Sequence, residues 1–199
     1  MSVMSGYEFL EAVKAQSGLR EIPVVCVTGL TGLKWIQEAF LRGADGYVFK
    51  PVDIDFMVAL ISFLTVRESL DKKASMLLEL PAFGEAGRLA GREVDSLEKL
   101  DLLLAAAEAG EEGATVRELA VRVILIHEDL EAEIRGLVAA GALVREGEGG
   151  RVRINRSEGW HRRAANLKKV ASSNSLLQAF VNGVFTGVLP YGFSAGLFD

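Results

Sequence analysis

The sequence predicts an α/β segment with parallel strands, followed by a mostly α-helical segment that ends in a β-hairpin. Three observations predict this organisation. Residues 22–27 form an uninterrupted apolar run between two helical patterns, which is typical of a parallel strand covered on both faces. Beyond residue 93 the apolar residues recur at helical spacing in three successive stretches. Two short apolar runs then flank a glycine-rich turn at residues 146–150, as expected for a hairpin.

Composition limits the class of protein. Of the 199 residues, 50% are hydrophobic and 25% are charged, which is enough for a core and argues against wholesale disorder. The single cysteine, Cys26, excludes an intramolecular disulfide framework. A formal net charge of -5 argues against a generally basic nucleic-acid binder. No stretch reaches the about 18 to 20 apolar residues of a membrane helix, so we expect a cytoplasmic protein that does not enter a membrane.

The first third of the chain alternates between helical and strand-like patterns. The predicted elements are, in order, helix 7–15, strand 22–27, helix 31–41, strand 47–49 and helix 55–70. Lys50 and Pro51 end the second strand, and Asp53 can cap the helix that follows. Residues 73–92 lose this regularity and contain a proline and three glycines, so we expect a linker there.

The second half has a different pattern. A helical stripe from residue 97 ends near Gly110, and Thr115 with Glu118 forms a capping-box pattern for a second helix. A third helix is expected from Glu128 to Gly141. Hairpin strands are expected at 143–145 and 151–154. The predicted domains are thus 1–72 (α/β), 73–92 (linker), 93–156 (helices and hairpin) and 157–199 (a basic helix and an apolar C-terminal tail).

Short motifs in the first segment occur in a specific order. They are Met-Ser-Val-Met at residues 1–4, Thr28 after the first strand, Gly-Ala-Asp-Gly-Tyr at residues 43–47, and the pair Lys50 and Pro51. Together they resemble the response-regulator receiver family. The resemblance implies a remnant of a doubly wound parallel sheet and a place in a two-component phosphorelay.

The resemblance also implies roles for individual residues. It places Thr28 at the family's hydroxyl position, Tyr47 at its aromatic switch position, and Lys50 with Pro51 at its conserved Lys-Pro pair. In the family, the hydroxyl and the lysine contact a phosphoryl group on an aspartate, because such a group needs a cation and hydrogen-bond donors around its oxygens. Movement of the hydroxyl residue then lets the aromatic ring turn inward and switches the surface.

One departure from the family is equally specific. Aligning residues 1–4 on the family's loop places the acceptor aspartate three positions before Met1, and the magnesium ligands also lie upstream. We therefore expect a truncated receiver-like domain that holds no cofactor and, as it stands, accepts no phosphate. A sensor histidine kinase is a partner only if the true start lies upstream. Strand 22–27 would have an exposed apolar edge, which a second copy or another protein could cover.

Residues 93–156 resemble a winged helix-turn-helix. The resemblance depends on residues 115–120, 126–130 and 137–143 and implies a DNA-binding output domain. The third predicted helix is acidic, with Glu128, Asp129, Glu131 and Glu133 against Arg135, which disfavours approach to DNA phosphates.

The region after the third helix is basic and supplies the candidate contacts to DNA or to an acidic partner. In sequence only Glu158 opposes these residues, which are Arg151, Arg153, Arg156, Arg162, Arg163, Lys168 and Lys169. Two hypotheses stay open: transcription regulation through DNA binding, or a protein-binding adaptor or scaffold. We find no catalytic triad, phosphate-binding glycine loop or metal-ligand cluster in the sequence, so we expect neither enzymatic activity nor a metal site.

Overall fold

The computed structural model describes residues 4–123, 127–147 and 150–189. Three features used in the sequence interpretation fall partly outside these ranges: the motif at residues 1–4, the winged-helix match at 126–130 and the apolar tail beyond residue 189. Within the described residues the chain is mostly helical and has two small sheets. This is compatible with an α/β segment followed by a mostly α segment with a hairpin.

The first segment has the predicted order of elements. They are helix α1 (Gly6–Ala15), strand β1 (Val25–Thr28), helix α2 (Leu33–Leu41), strand β2 (Gly46–Phe49) and helix α3 (Ile54–Thr65). The two strands pair in parallel, and all four residues of β2 are buried. Asp53 caps α3, accepting a hydrogen bond from the Phe56 amide at 3.1 Å, so the predicted cap is confirmed. The helix ends at Thr65, five residues before the predicted end.

Residues 73–92 are largely helical, so the expectation of an irregular linker is wrong. Helix α4 (Leu70–Leu78) and helix α5 (Pro81–Ala90) occupy this stretch. Pro81 stands at the first position of α5, where the missing N–H costs no hydrogen bond. Phe83 is fully buried and stacks on Phe56 of α3, with ring centroids 5.4 Å apart. Burial of this face stabilises the helix despite its glycines.

The second segment has three helices followed by a small antiparallel sheet. The elements are helix α6 (Leu97–Glu108), helix α7 (Val116–Arg122), helix α8 (His127–Ala139), strand β3 (Leu143–Arg145) and strand β4 (Val152–Ile154). A 3-10 turn at Gly110–Glu112 follows α6. Ala114 then forms an antiparallel bridge with Val152, which adds a third chain segment to the sheet. The Thr115 and Glu118 capping box is present at the start of α7, as predicted.

The C-terminal region contains helix α9 (Glu158–Ser172) and helix α10 (Asn174–Phe185). For the apolar stretch from residue 174 the sequence leaves open a docking segment or an ill-ordered tail, and its described part is a helix that packs against α5, α9 and β2. Phe180, at the centre of α10, is fully buried. The core therefore continues from the α/β segment into the C-terminal helices. No described helix is long and apolar enough to span a bilayer.

Candidate functional site

The parallel sheet brings Thr28 and Lys50 to one edge. Thr28 pairs with Phe49 in the strand register, and the Lys50 amide donates a hydrogen bond to the Thr28 carbonyl at 2.8 Å. Lys50 and Pro51 are exposed and are joined by a cis peptide bond. Because the carboxyl ends of parallel strands meet at the same edge, a hydroxyl and an ammonium group lie on neighbouring strand ends.

Tyr47 lies inside the fold next to this edge. Its side chain is buried, and its hydroxyl donates to the Leu30 carbonyl at 2.8 Å. The Leu30 amide in turn donates to the Thr28 hydroxyl at 3.1 Å. Burial raises the pKa of the Tyr47 phenol, so this group stays a neutral donor. The turn at Leu30 therefore connects the hydroxyl residue to the aromatic ring, a connection that the motifs alone did not indicate.

The outer edge of β2 is covered by two amide side chains from α10. Gln178 accepts a hydrogen bond from the Phe49 amide. Asn182 accepts from the Tyr47 amide at 2.9 Å and donates to the Tyr47 carbonyl at 2.7 Å. Both side chains are buried. Sequence reasoning missed them. The available signal was two polar residues four apart in the apolar stretch from Leu176 to Phe185, which places both on one helix face.

The free edge of β1 borders an apolar cleft. In the part of the chain that the structure describes, β1 pairs only with β2. The cleft has a volume of about 410 Å³ and is lined by residues of α1 and β1 together with Leu30 and Tyr47. Val27 and Phe9 are exposed beside it. Cys26 also lines it, and partial burial raises the pKa of this thiol, which disfavours the reactive thiolate.

Carboxylates from other elements pair with most of the predicted basic residues. Sequence alone suggested that only Glu158 opposes them, and this is wrong. The ion pairs are Arg151 with Glu118 at 3.3 Å, Arg153 with Glu146 at 3.4 Å, Arg156 with Glu111 at 3.5 Å, Arg162 with Glu158 at 3.0 Å, Arg163 with Glu93, and Lys169 with Glu85. Such pairing lowers the attraction of this surface for an anionic partner.

The remaining candidate, Lys168, is exposed on α9, and no ion pair links it to another of the described residues. On α8, Asp129 is exposed, whereas Glu131 accepts two hydrogen bonds from the Arg145 guanidinium at 2.8 and 3.1 Å. The side chain of Glu128 lies outside the described residues. Among those described, no group of three or more His, Cys, Asp or Glu side chains is arranged to hold a metal ion.

Comparisons with known proteins find partial relatives. A two-component response regulator of Arabidopsis thaliana is 39% identical over 54 residues, which is 27% of this chain and 26% of that protein. A probable transcriptional regulator of Porphyra purpurea is 34% identical over 73 residues, 37% of this chain and 35% of that protein. A probable cyclic di-GMP phosphodiesterase of Vibrio cholerae is 40% identical over 57 residues, 29% of this chain and 13% of that protein.

The matched region spans about a quarter to a third of the first two relatives. No family model matches the chain, and no solved structure matches it. The partial relatives support a receiver-like domain of response-regulator type.

Proposed function

We propose that the protein is a two-component signal-transduction protein in which a receiver-like segment, residues 1–72, controls a winged-helix output segment, residues 93–156, that regulates transcription by binding DNA. The observation that carries the proposal is the placement of Thr28 and Lys50 on neighbouring parallel strand ends, beside the buried Tyr47. The partial similarity to response regulators and to a transcriptional regulator supports it.

In the input segment, the strand edge offers a hydroxyl and a cation to an anionic group. A phosphoryl group near this edge would draw the Thr28 hydroxyl and the Lys50 ammonium toward its oxygens. The Thr28 hydroxyl also accepts from the Leu30 amide, and Leu30 accepts from Tyr47. Movement at Thr28 would therefore alter the hydrogen bond that holds the aromatic ring.

A hydroxyl and an ammonium group do not fit Mg²⁺, which prefers carboxylate oxygens. No step of the proposal uses a metal, and we propose that these 199 residues alone accept no phosphate. A sensor kinase would act on this segment only together with an acceptor carboxylate from outside this sequence.

In the output segment, the order of elements supports a winged helix. Three helices, α6 to α8, precede the hairpin β3–β4, and the Ala114 bridge to Val152 is the third member of the sheet. In such a domain the third helix and the hairpin face the duplex, and the arginines near the hairpin contact phosphates.

The charge distribution favours a second candidate function, that of a protein-binding adaptor. Most of the basic residues after α8 are paired with carboxylates, and α8 itself carries Asp129 and Glu133. An acidic helix suits a basic protein surface better than DNA. The free edge of β1 offers a second place for a protein partner or another copy.

Binding of the whole chain to labelled DNA duplexes, followed by fluorescence anisotropy at increasing salt, separates the two functions. A DNA-binding regulator should lose affinity steeply with salt, and Arg162→Gln should reduce the salt slope by about one. Arg67→Gln, which removes an exposed arginine between α3 and α4, is the matched control and should leave the slope unchanged. Absence of duplex binding at low salt would contradict DNA binding and favour the adaptor.

A further inference from the structure

A cleft with a volume of about 250 Å³ lies where α6, β4 and α9 meet. Its floor is apolar and is made of four alanines, Ala106 and Ala107 from α6 and Ala164 and Ala165 from α9, together with the larger Ile154 from β4. Small side chains on two facing helices leave room for a flat apolar group between them. The space suits a ligand with a compact apolar body.

The rim of this cleft is cationic. Arg153, Arg156 and Lys168 line it, and Glu111 is the one carboxylate among the lining residues. His161 also lines it and can donate or accept a hydrogen bond. The whole chain has a formal net charge of -5, whereas the lining of this cleft carries three cationic side chains and one carboxylate. Such a rim attracts anions.

The cations of the rim are only partly engaged by the protein. Arg156 Nη2 lies 3.5 Å from Glu111 Oε2, and the two side chains are 60% and 89% exposed, so this ion pair is weak. Among the described residues, neither the Lys168 ammonium nor the His161 imidazole has a partner. The neighbouring Lys169, by contrast, pairs with Glu85. Lys168, His161 and the weakly paired Arg156 are therefore available to a ligand, whereas Arg153 pairs with Glu146.

We infer that this cleft binds a small organic anion, whose apolar body lies on the alanine floor and whose sulfonate, carboxylate or phosphate group is held by Lys168 and Arg156. The apolar floor suits such a ligand better than a duplex backbone, whose phosphates contact cationic and polar groups without filling an apolar cleft. The inference does not depend on the proposed function.

The test is a ¹H–¹⁵N NMR titration of the whole chain with benzenesulfonate. The amide shifts should centre on Gly110, Arg156 and Lys168, with a Kd of about 1 mM or tighter. Benzenesulfonamide, which keeps the ring without the charge, and inorganic sulfate, which keeps the charge without the ring, should each bind at least about tenfold more weakly, because each makes half of the contacts.

Matched variants locate the contact. Lys168→Gln should raise the Kd about fivefold to tenfold by removing a charge-assisted hydrogen bond. Lys169→Gln removes the same charge from the next residue of α9 and should change the Kd by less than about twofold, because exposed charges farther away are screened. Glu111→Gln should tighten binding by removing a repulsive carboxylate and releasing Arg156.

Several results would overturn the inference. One is an equal change in the Kd for benzenesulfonate in the two lysine variants. A second is a set of amide shifts centred on the cleft beside β1, and a third is a Kd for benzenesulfonamide as low as that for benzenesulfonate. A salt-dependent duplex affinity that benzenesulfonate leaves unchanged would leave both the DNA-binding proposal and this inference standing.

Discussion

At the scale of single residues, Tyr47 joins the strand edge to the interior. Its backbone is held by Asn182, its hydroxyl by the Leu30 carbonyl, and its ring by an edge contact with Phe49 at 5.5 Å. The phenol is thus fixed in the inward orientation. A change that moves Leu30 therefore alters the hydrogen bond between the Tyr47 hydroxyl and the Leu30 carbonyl.

Tyr47→Phe tests this hydrogen bond and its pH dependence. At neutral pH the variant should lose about 0.5–1.5 kcal/mol of unfolding free energy, since Leu30 is about half-exposed and water can reach its carbonyl once the phenol is gone. Burial raises the pKa of Tyr47 above its ordinary value of 10.0. Above that value the unfolded chain releases a proton that the folded chain keeps, so the stability of the wild-type protein should fall as the pH rises.

Urea unfolding at neutral pH and at about pH 10.5 measures this fall in the free energy of unfolding. Tyr47→Phe should show a smaller fall, because the variant has no phenol proton at position 47. Burial also raises the pKa of Tyr7, and this contribution is common to both proteins. Equal falls in the two proteins would contradict a buried, neutral phenol at position 47.

The residues of the candidate site differ in how far the sequence could predict them. Thr28 ends β1 and Lys50 directly follows β2, so the parallel pairing of two predicted strands was enough to bring these two residues together. Tyr47 lies within β2, opposite Cys26. The partners of Arg163 and Lys169 are 70 and 84 residues away along the chain. Pairing over such separations depends on how helices pack, which sequence pattern does not contain.

At the scale of elements, the α/β segment and helices α6 to α8 were predictable from the sequence, whereas α4, α5 and α10 were not. The elements α1 to α3 have clear periodicity, whereas α5 contains a proline and two glycines that alone favour a loop. Packing of Phe83 and Ala86 in the core outweighs that preference. The described part of the C-terminal stretch is helical for the same reason, because α10 buries most of its surface against other elements.

Helix α10 takes the place of a strand neighbour at the outer edge of β2. Asn182→Ala should lower the unfolding free energy by about 2–4 kcal/mol, because it leaves the buried amide and carbonyl of Tyr47 without partners. Asn174→Ala, at the exposed start of the same helix, should change it by less than about 0.5 kcal/mol. Urea unfolding followed by circular dichroism measures both, and similar effects of the two variants would contradict the edge contact.

At the scale of the whole molecule, the α/β segment and the C-terminal helices share one core. Helix α10 contacts β2 on one side and α5 and α9 on the other, and α2 contacts α6. The Gln37 side-chain amide also donates a hydrogen bond of 2.9 Å to the Glu98 carboxylate, which adds to the α2–α6 contact. We therefore expect the segments to unfold together, and a signal at the Thr28 edge would reach the second segment through packed helices instead of a flexible linker.

The two tryptophans test this coupling, because Trp35 lies on α2 and Trp160 on α9. Trp160→Phe and Trp35→Phe each leave one fluorescent reporter, and urea unfolding of the two variants should follow the same transition. Phe83→Leu, added to each, should lower the unfolding free energy at both reporters by about 1 kcal/mol, since its ring packs between α5 and α3. Val121→Ala, which changes an exposed side chain on α7, should leave the unfolding free energy unchanged at both reporters. If Phe83→Leu shifted the transition at Trp35 alone, the segments would be independent, and the output could not respond to the strand edge through the core.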